Sequence, residues 1–227
     1  MMDEVFFRRK EVIGTCTLYL GDNMAVMPEL THHDCLLTDP PYGIGWSSTS
    51  YKAEAKRTGD GKLVQRRDYG SFDWDSEPAS AECISFMRSL CRHQIIFGGN
   101  YFDLPPSRCW LVWDKMNGTT KFADCELAWT SLDTPVRRIQ WLWNGFASKG
   151  SDERIHPTQK PLGVMSWCLD QLPDGVETVL DPFMGSGTTG AACLKAGLKF
   201  TGIERDDRYF DGAVARLRKQ SEQGQLL

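Results

Sequence analysis

Short apolar or alternating runs separated by amphipathic stretches dominate the chain. Residues 15–20 (T-C-T-L-Y-L) alternate and are rich in β-formers, which predicts a strand ending at Gly21-Asp22-Asn23. A helix follows over about 24–30, with Asp22 or Asn23 as its N-cap. Residues 34–38 form a second strand, fully apolar in its middle, as suits a parallel sheet covered on both faces. Residues 80–91 read as a helix, and 94–97, 109–113, 124–131 and 138–143 as strands, the last two as an antiparallel edge pair. Residues 162–172 carry Leu162, Met165, Leu169 and Leu172 on one helical stripe that begins after Pro161. Then come a strand at 177–180, a helix at 188–196 stopped by Gly197, a strand at 199–203 and a final helix at 206–219. This order predicts an α/β fold: a doubly wound, mostly parallel sheet with an antiparallel pair at one edge.

Residues 47–75 break the pattern. They hold neither a period of 2 nor one of 3.6, and they carry Gly59, Gly61 and Gly70 among basic side chains. Such a stretch is too long for an ordinary connection, so it is read as an inserted basic loop within one domain of residues 1–227. A solvated surface loop is the ordinary reading of such a charge run, and Trp46, Tyr51, Tyr69 and Trp74 at its edges make a nucleic-acid contact more plausible than average.

The remaining composition sets bounds. With 227 residues, 41% hydrophobic and 25% charged, the chain is globular. No apolar run reaches the length of a membrane span, and the N-terminus lacks the basic-then-apolar order of a secretory signal, so no membrane association and a cytoplasmic location are expected. The eight cysteines form no C-x-x-C pair and the four histidines do not sit beside them, so no metal site is expected. A net charge of −4 argues mildly against a nucleic-acid partner, but the charge is segregated. Lys52, Lys56, Arg57, Lys62, Arg66 and Arg67 share one window, and Arg137 and Arg138 another.

Two stretches carry chemistry. Asp39-Pro40-Pro41-Tyr42 follows the second strand. Two prolines fix two φ angles and remove two donors, giving a stiff turn with an acid before it and an aromatic after it. On its own this is an ordinary proline turn; it is also what would grip the amino group of a flat base. The second stretch, V-L-D-P-F-M-G-S-G-T at 179–188, sits at a strand-to-helix junction. Gly185 and Gly187 allow a sharp turn and close approach to the backbone. A strand ends at Glu204 about twenty residues on, where a carboxylate can hold ribose hydroxyls. The third glycine of a dinucleotide site and the G-K-[ST] of a phosphate loop are missing, so the expected ligand is a nucleoside without a pyrophosphate.

Asp-Pro-Pro-Tyr at 39–42, His-Pro-Thr-Gln-Lys-Pro at 156–161 and Asp-Pro-Phe-Met-Gly-Ser-Gly at 181–187 together resemble the amino-group DNA methyltransferases that use S-adenosylmethionine. With the base-binding motif first and the cofactor motif second, the order resembles the permuted beta class of that family. The resemblance implies a Rossmann-like class I methyltransferase fold and S-adenosyl-L-methionine as cofactor. It implies that Asp39 and the Pro40 carbonyl accept from the target amino group, with Pro41 stiffening the turn and Tyr42 stacking on the flipped base. Asp181, Phe183, Gly185, Ser186, Gly187 and Thr188 would line the cofactor, with Glu204 on its ribose, Asp22 near its adenine, and Thr158, Gln159 and Lys160 at its methionine carboxylate; Asp39 would border this cofactor site as well.

In that family Asp at the first motif position goes with adenine N6 and Ser with cytosine N4. The expected activity is therefore site-specific N6-adenine methylation of double-stranded DNA, of the restriction-modification kind. Cytosine N4 methylation, methylation of RNA or of a protein amine, and a non-catalytic binding subunit are the competing readings. Residues 132–155 are a short candidate target-recognition segment, so either residues 47–75 share the reading of bases or, as favoured here, the recognition sequence is short or relaxed. Lys62, Arg66, Arg67, Arg137 and Arg138 are the candidate DNA contacts. A homodimer is left open.

Overall fold

A computed structural model describes residues 6–45, 56–57, 63–64, 76–117, 123–142 and 159–224. The strands are β1 (Arg9–Ile13), β2 (Cys16–Leu20), β3 (His33–Thr38), β4 (Lys56–Arg57), β5 (Leu63–Val64), β6 (Cys91–Phe97), β7 (Trp110–Asp114), β8 (Cys125–Thr130), β9 (Arg137–Gln140), β10 (Thr178–Asp181) and β11 (Lys199–Glu204). The helices are α1 (Asn23–Val26), α2 (Ala81–Ser89), α3 (Leu162–Leu169), α4 (Thr188–Ala196) and α5 (Asp207–Gly224). The chain divides into two compact units, one of Met1–Pro40 with Ala81–Leu227 and one of Pro41–Ser80. Within the smaller unit β4 pairs antiparallel with β5, Tyr42 bridges Pro78, and the Ala79 amide donates to the Pro41 carbonyl at 3.0 Å.

The larger unit is built on a nine-stranded sheet in the order β1-β2-β11-β10-β3-β6-β8-β7-β9. This corrects two expectations. First, the order is a circularly permuted one and not that of the class I methyltransferase fold. The chain lays down β2, leaves a gap, lays down β3, and fills the gap last with β10 and β11. Hydrophobic periodicity locates a strand but does not name its neighbours, so this choice is invisible to it. Second, the expected antiparallel edge pair does not form. β7 lies between β8 and β9; β8 is antiparallel to both β6 and β7, while β9 is parallel to β7. The antiparallel hairpin stands at the opposite edge, where β1 pairs with β2.

β1 has no apolar alternation (R-K-E-V-I). It is held by cations: Arg8 bonds Asp207 at 2.7 Å, and Arg9 pairs with Asp211 while its guanidinium lies 4.6 Å from the Phe210 ring centre. The sheet is covered on both faces. Cys35, Leu37, Ile95, Phe97 and Val179 join α3, α4 and α5 in one core cluster. The intervening residues Leu36, Ile96 and Leu180 are equally buried on the other face, as are Val26, Met27, Ile84 and Met87 of the segments around α1 and α2. Cys125 is exposed and the other seven cysteines are buried.

One side chain joins the two halves of the chain at the start of β3. The Asp34 carboxylate accepts from the Glu177 amide at 3.0 Å, the Thr178 amide at 2.9 Å and the Thr178 hydroxyl at 2.8 Å. These bonds, the Glu177 amide first, hold its carboxyl below the ordinary aspartate range. A lowered folded-state pKa gives stability that is present above the unfolded value and lost as pH falls through the folded one. Asp34→Ala is therefore expected to cost about 1–2 kcal/mol at pH 7, with the gap to the parent protein narrowing as pH drops below about 4. Denaturant titrations at pH 7 and pH 3 check this.

Candidate active site

Four acids stand side by side because four neighbouring parallel strands end at one edge of the sheet. Asp22 follows β2, Glu204 ends β11, Asp181 ends β10 and Asp39 follows β3. Register fixes their spacing: Leu20 is opposite Glu204, Gly202 opposite Asp181, and Leu180 opposite Leu36. The Gly21 amide donates to the Glu204 carbonyl at 2.9 Å, and the Thr38 hydroxyl donates to Asp181 Oδ1 at 2.8 Å. Ligands of open α/β sheets bind outside such carboxyl ends.

Asp181 is buried and anchors the turn that follows it. Besides Thr38 it accepts from the Phe183 amide at 3.1 Å and the Thr189 hydroxyl at 2.6 Å. Burial outweighs these bonds and pushes its carboxyl up to about 6. The turn passes through Gly185 at φ 49° and Gly187 at φ 72°, where a side chain would be strained, and a Cβ on Gly187 would also crowd the Ala213 methyl at 3.0 Å. Phe183 and Gly185 are its partly exposed members. Ser186 and Thr188 are buried; their hydroxyls lie 3.2 Å apart, and Arg216 of α5 donates to Thr188 at 2.8 Å. They brace the start of α4.

Glu204 accepts the Gly185 amide at 3.1 Å and the Asp206 amide at 2.7 Å. Its carboxyl is pushed up by burial to about 7. Asp22 caps α1, accepting from the Met24 amide at 2.9 Å and the Ala25 amide at 3.3 Å.

Around Asp39 the charges alternate. Lys160 pairs with Asp39 and lies 3.1 Å from Glu126 Oε2, and Lys115 lies 2.5 Å from Glu126 Oε1. The antiparallel run of β8 brings its N-terminal end, and so Glu126, to the edge where the parallel strands finish; Lys115 follows β7, whose Trp113 is opposite Glu126. The Lys160 side chain is 8% exposed, and its ammonium is 5.1 Å from the Phe97 ring centre. Burial alone would lower the Lys160 ammonium, but Asp39 and Glu126 prevail and hold it above the ordinary lysine value. Burial alone would raise Glu126, but Lys160 and Lys115 prevail and hold it below the usual glutamate range.

The structure thus brings Asp22, Asp39, Asp181, Phe183, Gly185, Glu204 and Lys160 to one edge of the larger unit. Gln159 beside Lys160 is buried. Pro40 ends that unit's first segment, and Pro41 and Tyr42 open the smaller unit. Arg137 and Arg138 are exposed on β9, with Arg138 3.8 Å from Asp114. Thr158, Lys62, Arg66 and Arg67 lie outside the described residues, as do most of 47–75 and the later part of 132–155. Four contributors escaped the sequence reading: Thr38, Thr189, Lys115 and Glu126. Glu126 alone leaves a trace there, as a charge inside an otherwise apolar and β-branched run (C-E-L-A-W-T).

Residues 107–215 match the family model for amino-group methyltransferases acting at N6 or N4, described as DNA methylase. Over those residues the chain is similar to that family. It is 34% identical over 90 residues to the type II methyltransferase M2.LlaDCHI of Lactococcus lactis subsp. cremoris, a match covering 39% of this chain and 34% of that relative. The match thus spans about a third of the relative's length. The M1.HpyAVI–SAM complex has a similar fold, with a TM-score of 0.56, 21% identity, and coverage of 88% of this chain and 99% of the other. The cytosine-N4-specific PvuII DNA methyltransferase is similar in fold too, with a TM-score of 0.56 and 11% identity over 96% and 95% of the two chains. Among the described residues, no helix is long and apolar enough to cross a membrane and no group of metal ligands is assembled.

The buried Asp181 makes a second testable point. Its folded pKa is raised, so its contribution is stabilising below the unfolded value and is lost as pH rises through about 6. Asparagine keeps an acceptor for Thr38 and Phe183 and offers a donor to the Thr189 hydroxyl. Asp181→Asn is expected to gain roughly 2 kcal/mol relative to the parent at pH 8 and about nothing at pH 4. Thermal melts of the ligand-free proteins at the two pH values measure it.

Proposed function

We propose that this chain is a DNA adenine-N6 methyltransferase that takes its methyl group from S-adenosyl-L-methionine. The observation that carries the reading is the adjacency of β3 and β10, which sets Asp39 beside the Asp181–Thr188 turn and links them through Thr38. Amino-group selectivity rests on the Asp-Pro-Pro-Tyr turn. Adenine rather than cytosine rests on aspartate at its first position.

The residues present fit the cofactor. A positive-φ turn with partly exposed Phe183 and Gly185 offers a close backbone approach, and Glu204 stands one strand away with an acceptor-only head for two ribose hydroxyls. Asp22 stands at the far strand end, on the side proposed for adenine. When bound, S-adenosylmethionine supplies a methyl group on a sulfonium, an electrophile that needs no covalent enzyme intermediate.

The work left to the chain is positioning and polarisation. The amine of adenine is conjugated with its ring and is a weak nucleophile. Asp39 and the Pro40 carbonyl accept its two N–H bonds and favour a pyramidal nitrogen with an available lone pair. With the cofactor bound, that nitrogen would be the acceptor of the methyl group it supplies, and the proton the nitrogen sheds would leave on the Asp39 side. Tyr42, three residues on, stacks on the extruded base and returns about 1–3 kcal/mol of the unstacking cost. Lys62, Arg66, Arg67, Arg137 and Arg138 contact phosphates, which position the duplex without reading it.

Tritiated cofactor offered with duplex DNA, RNA and protein tests the substrate class, and modified-base sequencing of the DNA gives the base and context. Label on adenine N6 is expected; label on cytosine N4 or on protein alone would overturn the reading. Asp39→Ala is expected to lower transfer by at least about 100-fold while leaving cofactor affinity within about twofold. Because Glu204 must be ionised to accept hydroxyls, cofactor affinity should fall about tenfold per pH unit below about 7. Calorimetric titrations between pH 5.5 and 8.5 would show that slope, and Glu204→Gln should bind weakly without it.

A further inference from the structure

We propose that Glu126 and Lys160 are positioning residues for Asp39: Glu126 fixes Lys160, and Lys160 holds the Asp39 carboxylate in the orientation from which it accepts the target amine. The inference rests on the reading of Asp39 as that acceptor. It departs from the anion-binding role that the Thr-Gln-Lys stretch implies by resemblance, because the Lys160 ammonium is directed at Asp39 and Glu126.

Three features carry it. The groups arrive on four separate segments: the end of β3, the residue before α3's Pro161 cap, the start of β8 and the end of β7. A carboxylate tied this way has its rotamer set by the sheet and not by its own turn. The charges alternate along the row Lys115, Glu126, Lys160 and Asp39, so each is compensated by its neighbour. Lys160 also rests on the Phe97 ring, which fixes the ammonium on a further side. The plain alternative is that the pairs merely stabilise β8. Buried ion pairs are poor stabilisers, since desolvation offsets their attraction, and an apolar set of similar volume does as well. Three ionic side chains, Lys115, Glu126 and Lys160, gathered beside the proposed acceptor therefore serve its orientation. Among the described residues Asp181, one strand away, is also coupled to Asp39 and is raised in part by its charge.

The test separates position from chemistry. Crystal structures of the parent, Glu126→Gln and Lys160→Met are compared at the Asp39 side chain, with no reliance on activity. In both variants Asp39 is expected to leave its parent rotamer; an unmoved carboxylate would overturn the proposal. Kinetics form the second arm. Lys160→Met is expected to lower kcat on the order of 100-fold and Glu126→Gln about tenfold, with cofactor Kd changed less than about twofold. Lys160→Arg, which keeps the charge, should recover most of kcat. Loss of cofactor affinity with kcat retained would make Lys160 a ligand of the cofactor and defeat the inference. Melting temperatures show whether each variant folds; losses of kcat that merely track the loss of melting temperature would also defeat it. A parent protein that methylates no DNA would refute the proposed function, while the crystallographic arm would still decide the position of Asp39.

Discussion

Everything at the proposed site depends on β3 pairing with β10. The two strands lie more than a hundred residues apart in the chain, and no local signal directs one to the other. Side chains close the pair at both ends. Asp34 takes the Glu177 and Thr178 donors where the strands begin, and Thr38 gives its hydroxyl to Asp181 where they finish. Parallel pairing is slightly weaker per residue than antiparallel, and β10 is short, so these end clamps set the register as well as adding stability. A slip of one residue would turn Leu180 toward the other face and carry Asp181 away from Asp39.

The edge so formed concentrates negative charge, and the protein handles it differently at each strand. Asp22 spends its charge on a helix cap. Asp181 is surrounded by hydroxyls and an amide yet is buried enough to titrate near 6. Glu204 titrates near 7 with backbone donors on both oxygens. Asp39 has a buried ammonium. The order across the sheet thus runs from carboxylates answered by neutral donors to one answered by a cation.

Much of this could be read from the residues. Asp39, Asp181 and Glu204 each stand where an apolar run stops and a Pro or turn begins, a break that places a strand's end and an acid together. α4 begins and ends where its glycines say, at Thr188 and Ala196. What escaped was relational. Neighbouring strands and the interior place of β8 follow from packing between distant segments, which periodicity does not encode; the permutation was legible only in the order of the two motifs. β1 escaped because it has no apolar alternation: of its residues Ile13 reaches the core, and Arg9 pairs with Asp211 of α5. The Ser186 and Thr188 hydroxyls lie 3.2 Å apart, and Arg216 from the distant α5 donates to Thr188, a contact the sequence does not announce. Glu126 and Lys115 were hidden because neither belongs to a turn motif.

The permuted order has a consequence during synthesis. As the chain leaves the ribosome, β2 and β3 emerge early, but the strands that must sit between them, β10 and β11, are nearly the last to appear. Until then the inner edges of β2 and β3 present unpaired amides and carbonyls and two apolar faces, a state open to wrong pairing with other chains. The sheet is completed only when the last fifth of the chain inserts into a waiting gap. Long sequence separation of this kind slows folding, because the loop between β3 and β10 must close before their pairing is gained.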